Sequence, residues 1–292
     1  MSYTCQSEIG RLKSVFIKRS GDAFVSEADV ASQWKLLNFL GKPDLSAAMT
    51  EYSYFEALLA AAGAELEFFP VDNYVNMDSM YCRDASIATD HGMIICNMGK
   101  AARVNEPLAQ RNIFREKGVA ILGEIVYPGT VEGGDVAWLD ERTLAVGWSY
   151  RTNEMGIRQL KALLSPHGVD VLTVPLPHYR GHTDVFHLMS ILSPVDKDLA
   201  VVYSPLMPIC FRNALLERGY TFVEVPDAEF DSMGCNVLAL APREVLMVEG
   251  NPLTAAALRD AGCIVRTYAG REISVKGGGG PTCLTRPLLR HR

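Results

Sequence analysis

Short apolar runs alternate along the chain with polar turns and with amphipathic stretches that end in glycine. The first such unit opens on Leu12-Lys13-Ser14-Val15-Phe16-Ile17-Lys18, passes through a polar, helical-type region to Tyr54–Ala62, meets Gly63, and returns to an extended run at Glu65–Phe69. The same grammar recurs four more times. Met93–Cys96 leads to a helical pattern over Asn105–Lys117, then Gly118 and Val119–Ile121. Thr143–Gly147 leads to Glu154–Leu164, Gly168 and Val169–Val174. Leu199–Tyr203 leads to Cys210–Arg218, Gly219 and Thr221–Val225. Val245–Val248 leads to Leu253–Asp260, Gly262 and Ile264–Tyr268. Each copy is strand, turn, helix, glycine, strand, the glycine standing where a helix stops. A supersecondary unit repeated at roughly 45–80 residues predicts a closed or stacked α/β array. With no Pro/Ser-rich linker between copies, residues 1–292 are expected to form one domain.

Five further extended segments lie between the copies and carry the unusual residues: 80–87, 132–138, 182–188, 233–238 and 279–284. Each sets a polar or reactive group at or just before an apolar run. If the copies close around an axis, these starts meet at one end. One pocket would then gather Asp84, Glu132, Asp135, His182, Asp184 and Cys283.

The last segment is the most pointed. Gly277-Gly278-Gly279-Gly280-Pro281-Thr282-Cys283 sets one thiol after four glycines, which let the backbone turn sharply and let a ligand approach. His182 and Asp184 are spaced to share one face of a strand, an arrangement suited to a general base and its carboxylate. His187 and His91 lack such neighbours and are read as structural. Cys82 is a weaker nucleophile candidate because it lacks the glycine approach, and Cys235 is expected to line the pocket without reacting. Arg103 and Arg151 each follow an apolar run in a polar turn.

Composition narrows the class. A net charge of −6 argues against a nucleic-acid partner, and no apolar run is long enough to cross a bilayer. The stretch Met1–Glu8 lacks the basic and apolar regions of a signal peptide, and the seven cysteines are dispersed. These features predict a cytoplasmic protein with reduced thiols. Neither a CxxC nor an HExxH motif occurs, so no zinc site is expected. Carboxylates crowded around a thiol that must ionise suggest a cationic substrate. A guanidinium is planar, permanently charged and a multiple donor; two carboxylates can grip it, and its charge favours a thiolate beside it.

With Arg83-Asp84, Glu132-Gly133-Gly134-Asp135, His182-Thr183-Asp184 and Gly278-Gly279-Gly280-Pro281-Thr282-Cys283 in this order, the chain resembles the superfamily of arginine deiminases, dimethylarginine dimethylaminohydrolases and amidinotransferases. The resemblance spans almost the whole chain, and it implies neither a metal nor an organic cofactor. It implies a five-bladed α/β propeller (pentein) of pseudo-fivefold ββαβ units. It implies Cys283 as nucleophile, His182 as acid and base, and Glu132 as the acid that orients the histidine and binds the guanidinium. Asp84 and Asp184 would grip the guanidinium nitrogens, and Arg103 and Arg151 the α-carboxylate of a free amino acid.

The chain has no room for the helical insertion of typical arginine deiminases, and Asp84 is followed by Ala85-Ser86-Ile87 without the asparagine of the dihydrolases. The implied activity is therefore a single hydrolysis of L-arginine or an Nω-methylated arginine to citrulline, through a covalent thiouronium. The alternatives are amidinotransfer to an acceptor amine and a non-catalytic binding propeller. A homodimer is the commonest assembly for such a chain, and Ser20–Asp44 is a candidate lid.

Overall fold

A computed structural model describes residues 3–292; Met1 and Ser2, part of the N-terminal stretch considered above, lie outside the described residues. The apolar runs form five small mixed sheets. The first is ordered Tyr3–Thr4, Thr285–His291, Leu12–Ile17, Glu65–Phe68. The second is Ser86–Thr89, Gly92–Ile95, Ile121–Glu124, and the third Val136–Asp140, Thr143–Trp148, Asp170–Pro175. The fourth is Leu192–Asp196, Leu199–Val202, Thr221–Glu224, and the fifth Leu238–Ala241, Glu244–Val248, Ile264–Tyr268.

One connection rule generates all five. A first strand pairs antiparallel with a middle strand, and a helix then carries the chain to a third strand parallel to the middle one. In the first sheet the opening strand comes from the far end of the sequence, with Thr285 opposite Ile17 and Arg290 opposite Leu12. In the third and fifth sheets, residues 136–139 and Leu238–Ala241 are buried on both faces, and this is why they read as continuous apolar runs.

The helices form where a cap precedes an apolar stripe. Asp44 accepts from the Ala47 N–H (2.8 Å) at the start of Leu45–Ala61, which buries Ala48, Tyr52, Phe55 and Leu59. Asn153 accepts from the Gly156 N–H (2.8 Å) at the start of Glu154–Leu164, which buries Ile157, Leu160 and Leu164. The repeat glycines close the helices in left-handed conformation, Gly219 at φ 84° after Ile209–Glu217 being typical. Nothing lies within 4 Å of a Cβ built on Gly219, so the backbone angle and not crowding demands glycine there.

One expected element is displaced. Residues 182–188 do not form a strand: they run as a turn and irregular chain, then a single 3-10 turn over Leu188–Ser190, and the first strand of the fourth sheet is Leu192–Asp196. Val185, Phe186 and Leu188 supplied an apolar pattern, but the strand that pairs with Leu199–Val202 starts at Leu192. No helix among the described residues is long and apolar enough to cross a membrane.

Gly219→Ala is expected to lower unfolding stability by about 1–2 kcal/mol in urea titrations, because an L-residue must be forced to positive φ. An unchanged midpoint would show that the turn can rearrange.

Candidate active site

Four of the turns just before the first strands, and the 3-10 turn before the other, each deliver one polar residue to a common place: Asp84, Glu132, His187, Asn236 and Cys283. Cys283 sits two residues before Thr285–His291, in a turn where the Leu284 N–H donates to the Gly280 carbonyl (3.1 Å). The glycine run before it packs on Tyr81. A Cβ on Gly279 would lie 2.5 Å from the Tyr81 ring, and one on Gly277 would overlap its hydroxyl. The Tyr81 hydroxyl is in turn tied to the Ile273 carbonyl (3.1 Å).

The thiol is held from the neighbouring sheet. Asn236 Nδ2 donates to Cys283 Sγ at 3.4 Å, while Asn236 Oδ1 accepts from Thr282 through its N–H (3.1 Å) and hydroxyl (2.7 Å). Burial raises the Cys283 pKa and the Asp84 charge adds to it; the Asn236 and Thr282 hydrogen bonds and Arg83 oppose in part. The free protein therefore carries a thiol.

Facing it is a buried ionic group. His187 Nε2 meets Glu132 Oε2 at 2.8 Å, both side chains being at most 4% exposed. Glu132 Oε1 accepts from the Lys100 N–H (2.9 Å), and Arg151 Nη1 lies 3.3 Å from Oε2. Burial alone would push the imidazole down, but the carboxylates of Asp135, Asp84 and Glu132 outweigh it and hold His187 protonated above the usual histidine range. Burial would push Glu132 up, but His187 with Arg151 and Arg103 overcomes it and keeps the carboxyl ionised. Asp135 lies behind the group. It accepts from the Leu188 N–H (3.0 Å) and the Ser149 hydroxyl (2.6 Å), and so fixes the backbone that carries His187.

Asp84 accepts from the Gly134 N–H (2.9 Å) and Arg103 Nη1 (2.5 Å). Oxygens of Asp84 and Glu132 and a ring nitrogen of His187 lie within 4.8 Å of one another, a spacing that suits a metal ion as well as a small cation. Cys283 and His187 line two adjoining spaces. One is a recess of about 20 Å³ with Asp78, Asp84, Lys100 and Arg151 on its wall. The other is a cavity of about 360 Å³ walled by Leu37, Tyr179, Phe186, Phe230 and Met233.

Not every expected residue converges. His182 is exposed, its ring 4.1 Å from that of Tyr150, and it lines neither space. The buried histidine is His187, for which the sequence predicts only a structural role. The reason is register: Asp84, Asn236 and Cys283 stand two residues before their strands and Glu132 four, whereas His182 stands ten before Leu192 and His187 five. Asp184 is half-buried and lines the larger cavity; its carbonyl, at 3.4 Å, takes the bond from Arg151. Arg103 is not free to hold a substrate carboxylate. Its Nε and Nη2 donate to Glu106, Nη1 to Asp84, and Nη2 also to the Tyr81 carbonyl (2.9 Å). It positions Asp84.

In the turn before Leu238–Ala241, Asn236 faces the thiol. Cys235 lies beside it on the cavity wall, with its sulfur near the Val201 carbonyl (3.7 Å). Lys100 is a further residue that no sequence signal marked. Its Nζ joins Asp78 (2.6 Å) on the pocket floor to the Leu37 carbonyl (2.9 Å), pinning the segment suspected of being a lid.

The five-sheet α/β fold is that of solved dimethylarginine dimethylaminohydrolase and amidinotransferase structures, and the sequence kinship places the chain in the class of guanidino-group-modifying enzymes. Within it, the chain belongs to the arginine deiminase family, whose profile matches residues 58–210 and 208–290. The N(G),N(G)-dimethylarginine dimethylaminohydrolase of Streptomyces coelicolor is 30% identical over 72% of this chain and 74% of its own length. An arginine deiminase of Mycobacterium avium is 29% identical over 76% of this chain, which spans 62% of that enzyme. Among solved structures, a citrulline complex of the Pseudomonas aeruginosa dimethylarginine dimethylaminohydrolase superposes with a TM-score of 0.75 at 23% identity, over 94% of this chain and 98% of that one. An amidinotransferase of Microseira wollei from saxitoxin biosynthesis gives 0.81 at 17% identity, over 100% and 97%.

The His187–Glu132 pair sets a pH dependence. A lowered Glu132 stabilises fully above its ordinary value of 4.5 and loses this as pH falls. A raised His187 stabilises fully below 6.5 and loses this as pH rises. His187→Gln is therefore expected to cost about 3 kcal/mol at pH 6, with the gap to wild type narrowing by pH 9 in urea unfolding. A gap constant between those pH values would show that the pair is not ionic.

Proposed function

We propose that this protein is a cysteine-dependent hydrolase that cleaves a guanidino C–N bond of L-arginine or an Nω-methylated arginine to give citrulline. The reading includes an α/β propeller in which the five sheets are blades and residues 1–292 form one domain. The observation that carries it is the meeting of the Cys283 thiol, the protonated His187 and the Asp84 carboxylate at one recess. The kinship with a dimethylarginine dimethylaminohydrolase and with arginine deiminases supports the substrate class.

A guanidinium entering the recess pairs with Asp84 and Glu132. Burial and the Asp84 field keep Cys283 protonated; the substrate's charge opposes both, so once it is bound the thiol releases its proton to solvent and the thiolate forms. The sulfur attacks the guanidinium carbon. His187 gives its proton to the departing amine as the C–N bond breaks, leaving a thiouronium on Cys283. Neutral His187 then takes a proton from water as the water oxygen bonds to the same carbon. The C–S bond breaks, the ureido product leaves, and the thiol is restored. Glu132 keeps the ring oriented and stabilises its cationic form. Arg151, held by one carboxylate and one carbonyl, retains donors for the substrate's carboxylate.

Amidinotransfer is the second reading, supported by the size of the cavity beside Cys283, which has room for an acceptor amine.

The test is incubation with L-arginine, monomethylarginine, asymmetric dimethylarginine and agmatine in the presence of chelator, with citrulline and released amine followed by mass spectrometry. Citrulline is expected from an amino-acid substrate. His187→Ala should lower kcat by about 10²–10⁴ and Cys283→Ser should abolish turnover, while His182→Ala leaves kcat unchanged. Equal losses for the two histidine variants would overturn the assignment of His187. Product that appears only with an added acceptor amine would select amidinotransfer.

A further inference from the structure

Three arginines lie buried together next to the site without taking part in it. Arg83 is 0% exposed, Arg290 1% and Arg286 4%, and the one carboxylate among them is Glu8, itself 7% exposed. Arg83 Nη2 donates to Glu8 Oε1 at 2.7 Å. Arg286 Nη1 donates to the Ser86 carbonyl (2.6 Å), and Arg290 Nη1 to the carbonyls of Gly10 (2.6 Å) and Ala239 (2.8 Å). These bonds reach into the first, second and fifth sheets, so the cluster lies where their first strands come together.

The donors outnumber the acceptors. Arg83 Nε and Nη1, Arg286 Nε, and Arg290 Nε and Nη2 are buried and have no hydrogen-bond partner among the described residues. The charge is unbalanced as well, with three guanidinium groups against one carboxylate. Burial and the neighbouring Arg83 push Arg286 and Arg290 down only to about 10, so both stay charged at neutral pH. The thiols beside Arg286 do not compensate: burial pushes Cys82 up to about 12 and raises Cys96 further. Glu8 and Arg83 are the ionic neighbours of Arg290.

Unpaired buried charge is costly, and unpaired buried N–H groups add to the cost. Water can satisfy the N–H groups but leaves the charge. A small anion answers both, and a monatomic one imposes no directional fit.

We propose that Arg83, Arg286 and Arg290 form a buried binding site for a small inorganic anion of the halide class. The site is tied to the chemistry by position. Arg83 precedes Asp84, and its N–H donates to the Cys283 carbonyl (3.2 Å). Arg286 and Arg290 lie on the strand that Cys283 leads into. A bound anion therefore braces both the Asp84 turn and the nucleophile turn.

The test uses the full-length protein dialysed into sodium gluconate and titrated with sodium chloride or bromide at constant ionic strength. Tm is expected to rise by about 2 °C for each tenfold of halide above its dissociation constant. Crystals grown in bromide should show an anomalous peak bonded to the three guanidinium groups. Arg290→Met should lose the halide increment whatever its basal Tm, and Arg290→Lys should retain part of it. A wild-type Tm indifferent to halide, with water between the arginines and no bromide peak, overturns the proposal. So does a halide increment that survives Arg290→Met. If neither variant folds, the wild-type titration and the bromide crystal decide the matter. None of these readouts depends on the substrate proposed above.

Discussion

The antiparallel pairing of Thr285–His291 with Leu12–Ile17 is the constraint on which the rest depends. It gives the first sheet the opening strand that the other sheets take from their own stretch of chain. It also anchors the strand that begins two residues after Cys283, so the Cys283 turn is fixed by a ladder drawn from both ends of the sequence. The thiol can then be met by Asn236, and the Cys283 carbonyl by the Arg83 N–H. Without that pairing Cys283 would sit on a glycine-rich tail with no partner.

Around the thiol, the site stores ionic interactions that are large because they are buried. His187 is protonated because three carboxylates outweigh its desolvation, and Cys283 stays a thiol because burial and one of those carboxylates oppose its ionisation. The two states are complementary: the imidazole holds a proton among carboxylates while burial and the Asp84 charge keep the thiol from ionising. Arg103 supports this indirectly, by locking Asp84 against Glu106 and the Tyr81 carbonyl.

Much of this was legible in the chain. The repeated strand–helix–glycine–strand unit anticipated five sheets, since left-handed glycines and buried apolar runs leave local signatures. Asp84, Glu132 and Cys283 each stand in a polar turn shortly before a strand, which is the local signal that marks them in the chain. The histidine was misplaced because the motif around His182 was weighed by local spacing. Counting back from the strand start at Leu192 favours His187 instead. Asn236 and Lys100 gave no local signal, since an asparagine and a lysine in turns have many ordinary uses.

The sequence by itself determined the periodicity, the glycine stops and the residue types available for chemistry, because backbone angles and burial are encoded by near neighbours. Only the tertiary structure decided which histidine pairs with Glu132, that Arg103 is committed to Asp84, and that Arg83, Arg286 and Arg290 are buried with N–H groups lacking partners among the described residues. Those outcomes depend on which turns meet across separate sheets. The 2.8 Å contact of His187 with Glu132 joins residues 55 positions apart, and the 3.4 Å contact of Asn236 with Cys283 joins residues 47 apart. Neither distance is written into any local stretch of the chain.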